Sequence, residues 1–142
     1  MSHSDQKHQL GFSLIELIIM VGLIGLIILV GVLLLGNERA KTRDAQRLAD
    51  MTRVQAAMQL LYFEKMSYIE AADGCKQAGD AVAACGLGRY LPGFGTLRDP
   101  GKFAYTVGEV PDIDSYRFDF TLERGYGNLS AGKHSLTKSG IQ

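Results

Sequence analysis

Residues 9–36 read QLGFSLIELIIMVGLIGLIILVGVLLLG, and the fold turns on this stretch. Within it, residues 17–35 form nineteen consecutive positions without a charge, headed directly by one carboxylate, Glu16. A helix of that length rises about 28 Å, close to the hydrocarbon thickness of a bilayer. A cleaved secretory signal predicts a basic start, a shorter apolar region and a small-residue cleavage site behind it. The start here carries one Lys and one Asp, Lys7 and Asp5, and no Ala-x-Ala motif follows the run. The stretch therefore reads as a retained membrane helix.

Outside this segment the chain is an ordinary polar sequence. Its 142 residues leave room for one modest domain. Fifteen Lys and Arg balance fifteen Asp and Glu, so charge makes no case for nucleic acid or for an acidic substrate. The three prolines all follow residue 90. Lys7 precedes the apolar run, whereas Arg39, Lys41, Arg43 and Arg47 follow it, and a simple positive-inside count puts the C-terminal part in the cytoplasm. Cys75 and Cys85 point mildly the other way, toward an oxidising compartment.

Glu16 has two readings. One is an acid in the first helical turn that complements the helix dipole and snorkels to the interface. The other starts from the expense of intramembrane acids, which usually have a partner. A cut after Gly11 gives Phe12 a new α-amine one helical turn from Glu16. That amine can pair within the chain or with Glu16 of a neighbouring chain, and the second option makes the acid an assembly device.

The string Gly11-Phe12-Ser13-Leu14-Ile15-Glu16 resembles the class III signal of type IV pilins and of type II secretion pseudopilins. In that family a short polar leader ends in Gly, and a membrane peptidase cuts after it and methylates the new N-terminal Phe. The fifth mature residue is Glu, and about twenty apolar residues follow. Each element is present in order: a polar leader over residues 1–10, then Gly11, Phe12, Glu16 and the run to Leu35. The resemblance implies cleavage and N-methylation at Gly11 and Phe12, and assembly through Glu16. It implies a homo-oligomer made by helix packing, with a prepilin peptidase and an assembly platform as partners. It also implies orientation: the precursor crosses the inner membrane once, leader inside and globular head outside, and then enters a filament. The pattern departs at one point. Many members carry a proline about twenty residues into the mature chain, and this chain has none before Pro92. Gly22, Gly25 and Gly31 weaken the helix instead, or serve close helix packing in lipid.

The resemblance and the patterning together predict an α+β fold, a long N-terminal helix packed on a small antiparallel sheet. The expected divisions are a leader over 1–11, a transmembrane and polymerisation helix over 12–36, an amphipathic helix over 37–70, and a cysteine loop with a C-terminal sheet over 71–142. Leu48, Met51, Val54, Met58, Leu61 and Tyr62 form an apolar stripe at helical spacing. The pairs Glu38 with Lys41, Asp44 with Arg47 and Asp50 with Arg53 read as exposed i,i+3 ion pairs. Arg39, Lys41, Arg43 and Arg47 read as a surface cluster, either a solvated or headgroup-contacting collar or a subunit contact.

Cys75 and Cys85 have no third cysteine or histidine near them and no C-x-x-C spacing, so a disulfide closing a surface loop is expected. Residues 102–107, KFAYTV, alternate with Phe103, Tyr105 and Val107 on one side. Residues 115–122, SYRFDFTL, alternate more cleanly, with Tyr116, Phe118, Phe120 and Leu122 on one face of a half-buried strand. Residues 123–128 read as a glycine-rich turn, and 133–137 as a last strand. Asp112 and Asp114 lie in an acidic loop. The resemblance raises calcium there, since major pseudopilins often bind it, but the loop lacks a third acid in register, and a solvated turn is the favoured reading. Asn128-Leu129-Ser130 fits a glycosylation sequon.

No enzyme is expected. His3 and His8 leave with the leader, and His134 has no acid near it in sequence. The expected function is that of a structural subunit of a type IV pilus-like filament. A pseudopilin of a type II secretion system is the alternative within the same class, and a monomeric membrane-anchored binding module the alternative outside it.

Overall fold

A computed structural model of the protein describes residues 13–142. The leader, Gly11 and Phe12 lie outside the described residues. One long helix, α1, spans Leu14–Lys65, and a four-stranded sheet follows: β1 Thr106–Glu109, β2 Arg117–Tyr126, β3 Leu129–Thr137 and β4 Gly140–Ile141. The fold is α+β, a long N-terminal helix packed on a small antiparallel sheet in the order β1-β2-β3-β4. By its contacts the chain divides into two units, with the boundary between Asn37 and Glu38.

In the first unit, α1 continues through Gly22, Gly25, Gly31 and Gly36. In the second, the stripe turns inward from Met51 onward, while Leu48, expected on the same stripe, is only half-buried and lies outside the core. Met51, Val54, Met58 and Leu61 are fully buried, and Tyr62 packs against the same core. The helix ends at Lys65, short of residue 70, because Met66 takes a positive φ of 55° and turns the chain into a short 3-10 segment, Ile69–Ala72.

The sheet offers the opposite wall. Tyr116, Phe118, Phe120 and Leu122 are buried as the alternation of β2 requires, while Arg117 between them is exposed. Val107 lies opposite Phe118, and Phe118 opposite Leu136, so three strands share one apolar layer. Tyr62, Tyr68, Tyr116 and Phe118 form a chain of ring contacts with centroids 4.8–5.3 Å apart across the core.

Two strand expectations change. The KFAYTV segment pairs only from Thr106. Phe103 is half-buried, and its N–H is drawn to the Asp99 carboxylate before pairing begins. The expected turn at 123–128 is mostly strand: β2 runs to Tyr126 through a register shift between Leu122 and Gly125, and only Gly127 and Asn128 separate it from β3. Gly125 makes that shift feasible. Its φ is +94°, and a Cβ there would meet the backbone of Ser130 at 2.9 Å.

Candidate functional site

The surface to be explained is the first unit of the helix. From Leu14 to Leu35 every large apolar side chain is exposed, ranging from 47% at Val30 to 77% at Leu14. The helix is long and apolar enough to cross a membrane. Among the described residues nothing lies within 4 Å of a Cβ placed on Gly22, Gly25 or Gly31, so none of them demands glycine there. An apolar surface of this size is covered by lipid, by protein or by both. Glu16 sits in the first turn, exposed, with its backbone N–H donating to Ser13 O at 3.0 Å. Its carboxylate has no ion-pair partner among the described residues. The Phe12 amine expected to face it lies outside them.

The second unit holds a cluster of charges that sequence reading placed wrongly. Arg47 has no exposed side-chain surface. Its guanidinium donates to Asp44 at 2.7 Å and to Asp99 at 2.6 and 2.9 Å, and it lies 2.8 Å from Glu123. Arg43 makes a second, two-pronged contact to Glu123. Asp44 also accepts three consecutive backbone N–H groups, from Glu123, Arg124 and Gly125, at 2.7–3.0 Å. Glu123 and Arg124 are the two residues that the register shift leaves without a partner on β3, and Gly125 is where the pairing resumes. Arg43 and Arg47 are therefore not part of a surface collar, and Asp44–Arg47 is not an exposed pair. Of the three expected pairs only Glu38–Lys41 is exposed at both ends, because Asp50 too is buried and accepts a hydrogen bond from the Tyr105 hydroxyl at 3.0 Å.

The cluster sets its own ionisation. Arg43 is the main cause that holds the Glu123 carboxyl down to about 2, with Arg47 adding to it against partial burial. For Asp99 and Asp44 burial is the largest influence and pushes upward. It is overcome at Asp99 by Arg47 and at Asp44 by the β2 amides together with Arg47, so both end up lowered. Asp50 is raised by burial, which its Tyr105 bond only partly offsets. The arrangement clamps the helix to the sheet and to the 99–103 turn.

A readable signal for this cluster existed. Positions 44, 47, 51, 54, 58 and 61 follow one 3-4-3-4-3 spacing, so Asp44 and Arg47 sit on the same stripe as the core. Their charge concealed that they face inward. The sites of Asp99 and Glu123 carried no local signal, since each is at least 52 residues away from Arg47 in sequence or reaches it only through the sheet.

Cys75 and Cys85 form a disulfide with Cα atoms 4.7 Å apart. The loop that they close runs beside β1. Gly79 N–H donates to Val107 O, Val107 N–H to Asp80 O and Val82 N–H to Tyr105 O, at 2.7–3.1 Å. Asp112 and Asp114 are exposed, and Asp112 Oδ1 accepts the neighbouring Ile113 N–H. Among the described residues no three His, Cys, Asp or Glu side chains converge as a metal site would require. Among the described residues the ring nitrogens of His134 meet only the backbone oxygens of Gln142 and Ser130. No protein-family model, curated protein or solved structure matches the chain.

Proposed function

We propose that this chain is a structural subunit of a filament of the type IV pilus kind, assembled through its N-terminal helix after cleavage behind Gly11. One observation carries the reading: among the described residues nothing covers the Leu14–Leu35 surface, and Glu16 is its single charged group. A bare apolar helix alone is satisfied by lipid. Moving it from lipid to a bundle of identical helices changes little hydrophobic free energy, since both surroundings are apolar. The acid then decides. In lipid it is an expensive charge, and beside a neighbour's Phe12 α-amine it is neutralised. Glu16 thereby selects and registers an incoming subunit while it is still in the membrane. The head, closed by its disulfide, lies on the outer side of the membrane in this reading and stays folded as the helix changes surroundings.

The test is the N-terminal mass of the protein recovered from sheared cell-surface material. A chain starting at methylated Phe12 is expected there. A chain starting at Met1 and found only in membranes would instead make it a membrane-anchored module.

A further inference from the structure

Resting on the filament reading, we infer that the two ends of the head are complementary docking surfaces, so that the acidic, apolar end of one copy seats on the basic end of the next. Both ends belong to the second unit and are located by hydrogen bonds. At the N-terminal end of the head's helical segment, Asp44 holds the amides of Glu123, Arg124 and Gly125, which brings the β2–β3 hairpin there. At the other end, the Tyr68 N–H just beyond Lys65 meets the carbonyls of Asp112 and Ile113 at 3.2 Å, which brings the acidic loop there. Twenty-one residues of helix separate Asp44 from Lys65, about 30 Å by helical rise.

The charges left over at each end have opposite signs. Lys102 and Arg124 are exposed at the Asp44 end and have no ion-pair partner among the described residues, and Arg39 near the start of the segment is in the same position. The cluster beneath them has two cations and three anions, a balance of −1, so this end remains positive by two charges. At the Lys65 end, Lys65–Glu70, Arg89–Glu64 and Lys76–Asp73 cancel in pairs. Asp112, Asp114 and Glu109, whose carboxylate accepts the Ser115 hydroxyl, remain at this end, and the exposed Lys138, which follows Thr137 opposite Arg117, offsets one of them, a surplus of two negative charges. At this end the head exposes Phe63, on the last turns of the helix, at 86%, with Met66, Ile69 and Ile113 each more than half exposed. The basic end exposes Tyr126.

The two surfaces lie too far apart to satisfy each other within one head, so a second copy is the partner that offers the complement. A contact between two different patches of the same molecule is heterologous. It leaves one free end of each kind and propagates as an open helical array, not as a closed pair. Exposed ion pairs are individually weak, so the charges set orientation and exclude the reversed stacking, while the four apolar side chains supply the buried surface. Lipid headgroups would use the basic end alone and leave the acidic, apolar end without a role.

Charge reversal in the full-length chain tests this in cells, with chain recovered from sheared surface material measured against the membrane pool. Asp112→Lys with Asp114→Lys should lower recovery at least about tenfold, and so should Lys102→Glu with Arg124→Glu, as like charges now face each other at every contact. All four substitutions together should restore recovery to within about threefold of the native chain, because the complement is rebuilt with its signs exchanged. Unchanged recovery on either reversal overturns the interface, and so does a loss that the combined variant fails to restore. A loss from the Lys102 and Arg124 reversal alone assigns the basic end to lipid and overturns it too. A native chain that starts at Met1 and never leaves the membrane overturns the filament reading itself, whereas native filaments indifferent to the reversals leave that reading standing.

Discussion

Arg47 is a cation sealed from water, and its three carboxylate neighbours are what keep it there. Removing one partner of such a group is more damaging than the pair's net contribution, because the remaining charges stay buried without compensation. Arg47→Ala should lower the unfolding free energy of the detergent-solubilised chain by about 3–5 kcal/mol, read from its urea midpoint. Lys41→Ala, in the exposed pair with Glu38, should change it by less than about 0.5 kcal/mol. Equal effects would contradict the burial assigned to Arg47. The acids give a pH dependence with a definite sign. A carboxyl whose folded value is depressed contributes stability above its unfolded value, and that contribution disappears as pH falls through the folded value. Glu123, at about 2 against an ordinary 4.5, sets the window between those two values, and Asp44 and Asp99 act in the same direction. Asp50 opposes them, since its raised value favours the protonated form in the folded head. Three lowered acids against one raised acid predict a urea midpoint that falls as pH drops from 4.5 toward 2. Glu123→Gln should flatten the fall, and a midpoint constant across that range would refute the assignment.

At the scale of elements, the loop closed by Cys75 and Cys85 does more than shorten a connection. Its bonds to Tyr105 and Val107 cover the side of β1 that the sheet leaves unpaired, and an uncovered strand edge is a template for pairing with other chains. Cys75→Ser with Cys85→Ser should remove about 2–3 kcal/mol of stability. It should also release the amides of Val82 and Val107 to hydrogen exchange well before that of Phe118, which lies between β1 and β3. Uniform loss of protection across the sheet would mean that the loop acts on global stability alone. The strands themselves were legible in sequence where alternation was clean, as over 115–122. They were misread where a turn signal and a strand overlap. Gly125 and Gly127 look like one loop, yet Gly125 serves a register shift inside β2 and only Gly127 belongs to the turn.

For the whole molecule the decisive group in the proposed function is Glu16. Glu16→Ala should leave the chain inserted in the membrane, since it removes a charge from an apolar helix, and should abolish recovery of filaments from the cell surface. The comparison to make is the amount of chain in the membrane and sheared fractions of the same cells. Normal filaments from that variant would show that helix packing alone drives assembly. Among the described residues nothing covers Leu14–Leu35, whereas the head closes around its own core, so the two units call for different surroundings, an apolar one for the first and water for the second.

The sequence by itself determined the long apolar helix, the amphipathic stripe that follows it and the pleated face of β2. Each is a periodic pattern, and periodicity states which side of an element avoids water without reference to anything distant. Tertiary structure alone decided the fate of the charges. Arg47 and Asp44 lie on the buried stripe, but a buried cation is tolerable only where carboxylates meet it, and two of these, Asp99 and Glu123, come from a turn and a strand far along the chain. No local pattern encodes that meeting, because the free energy of an ion depends on every group around it once water is gone.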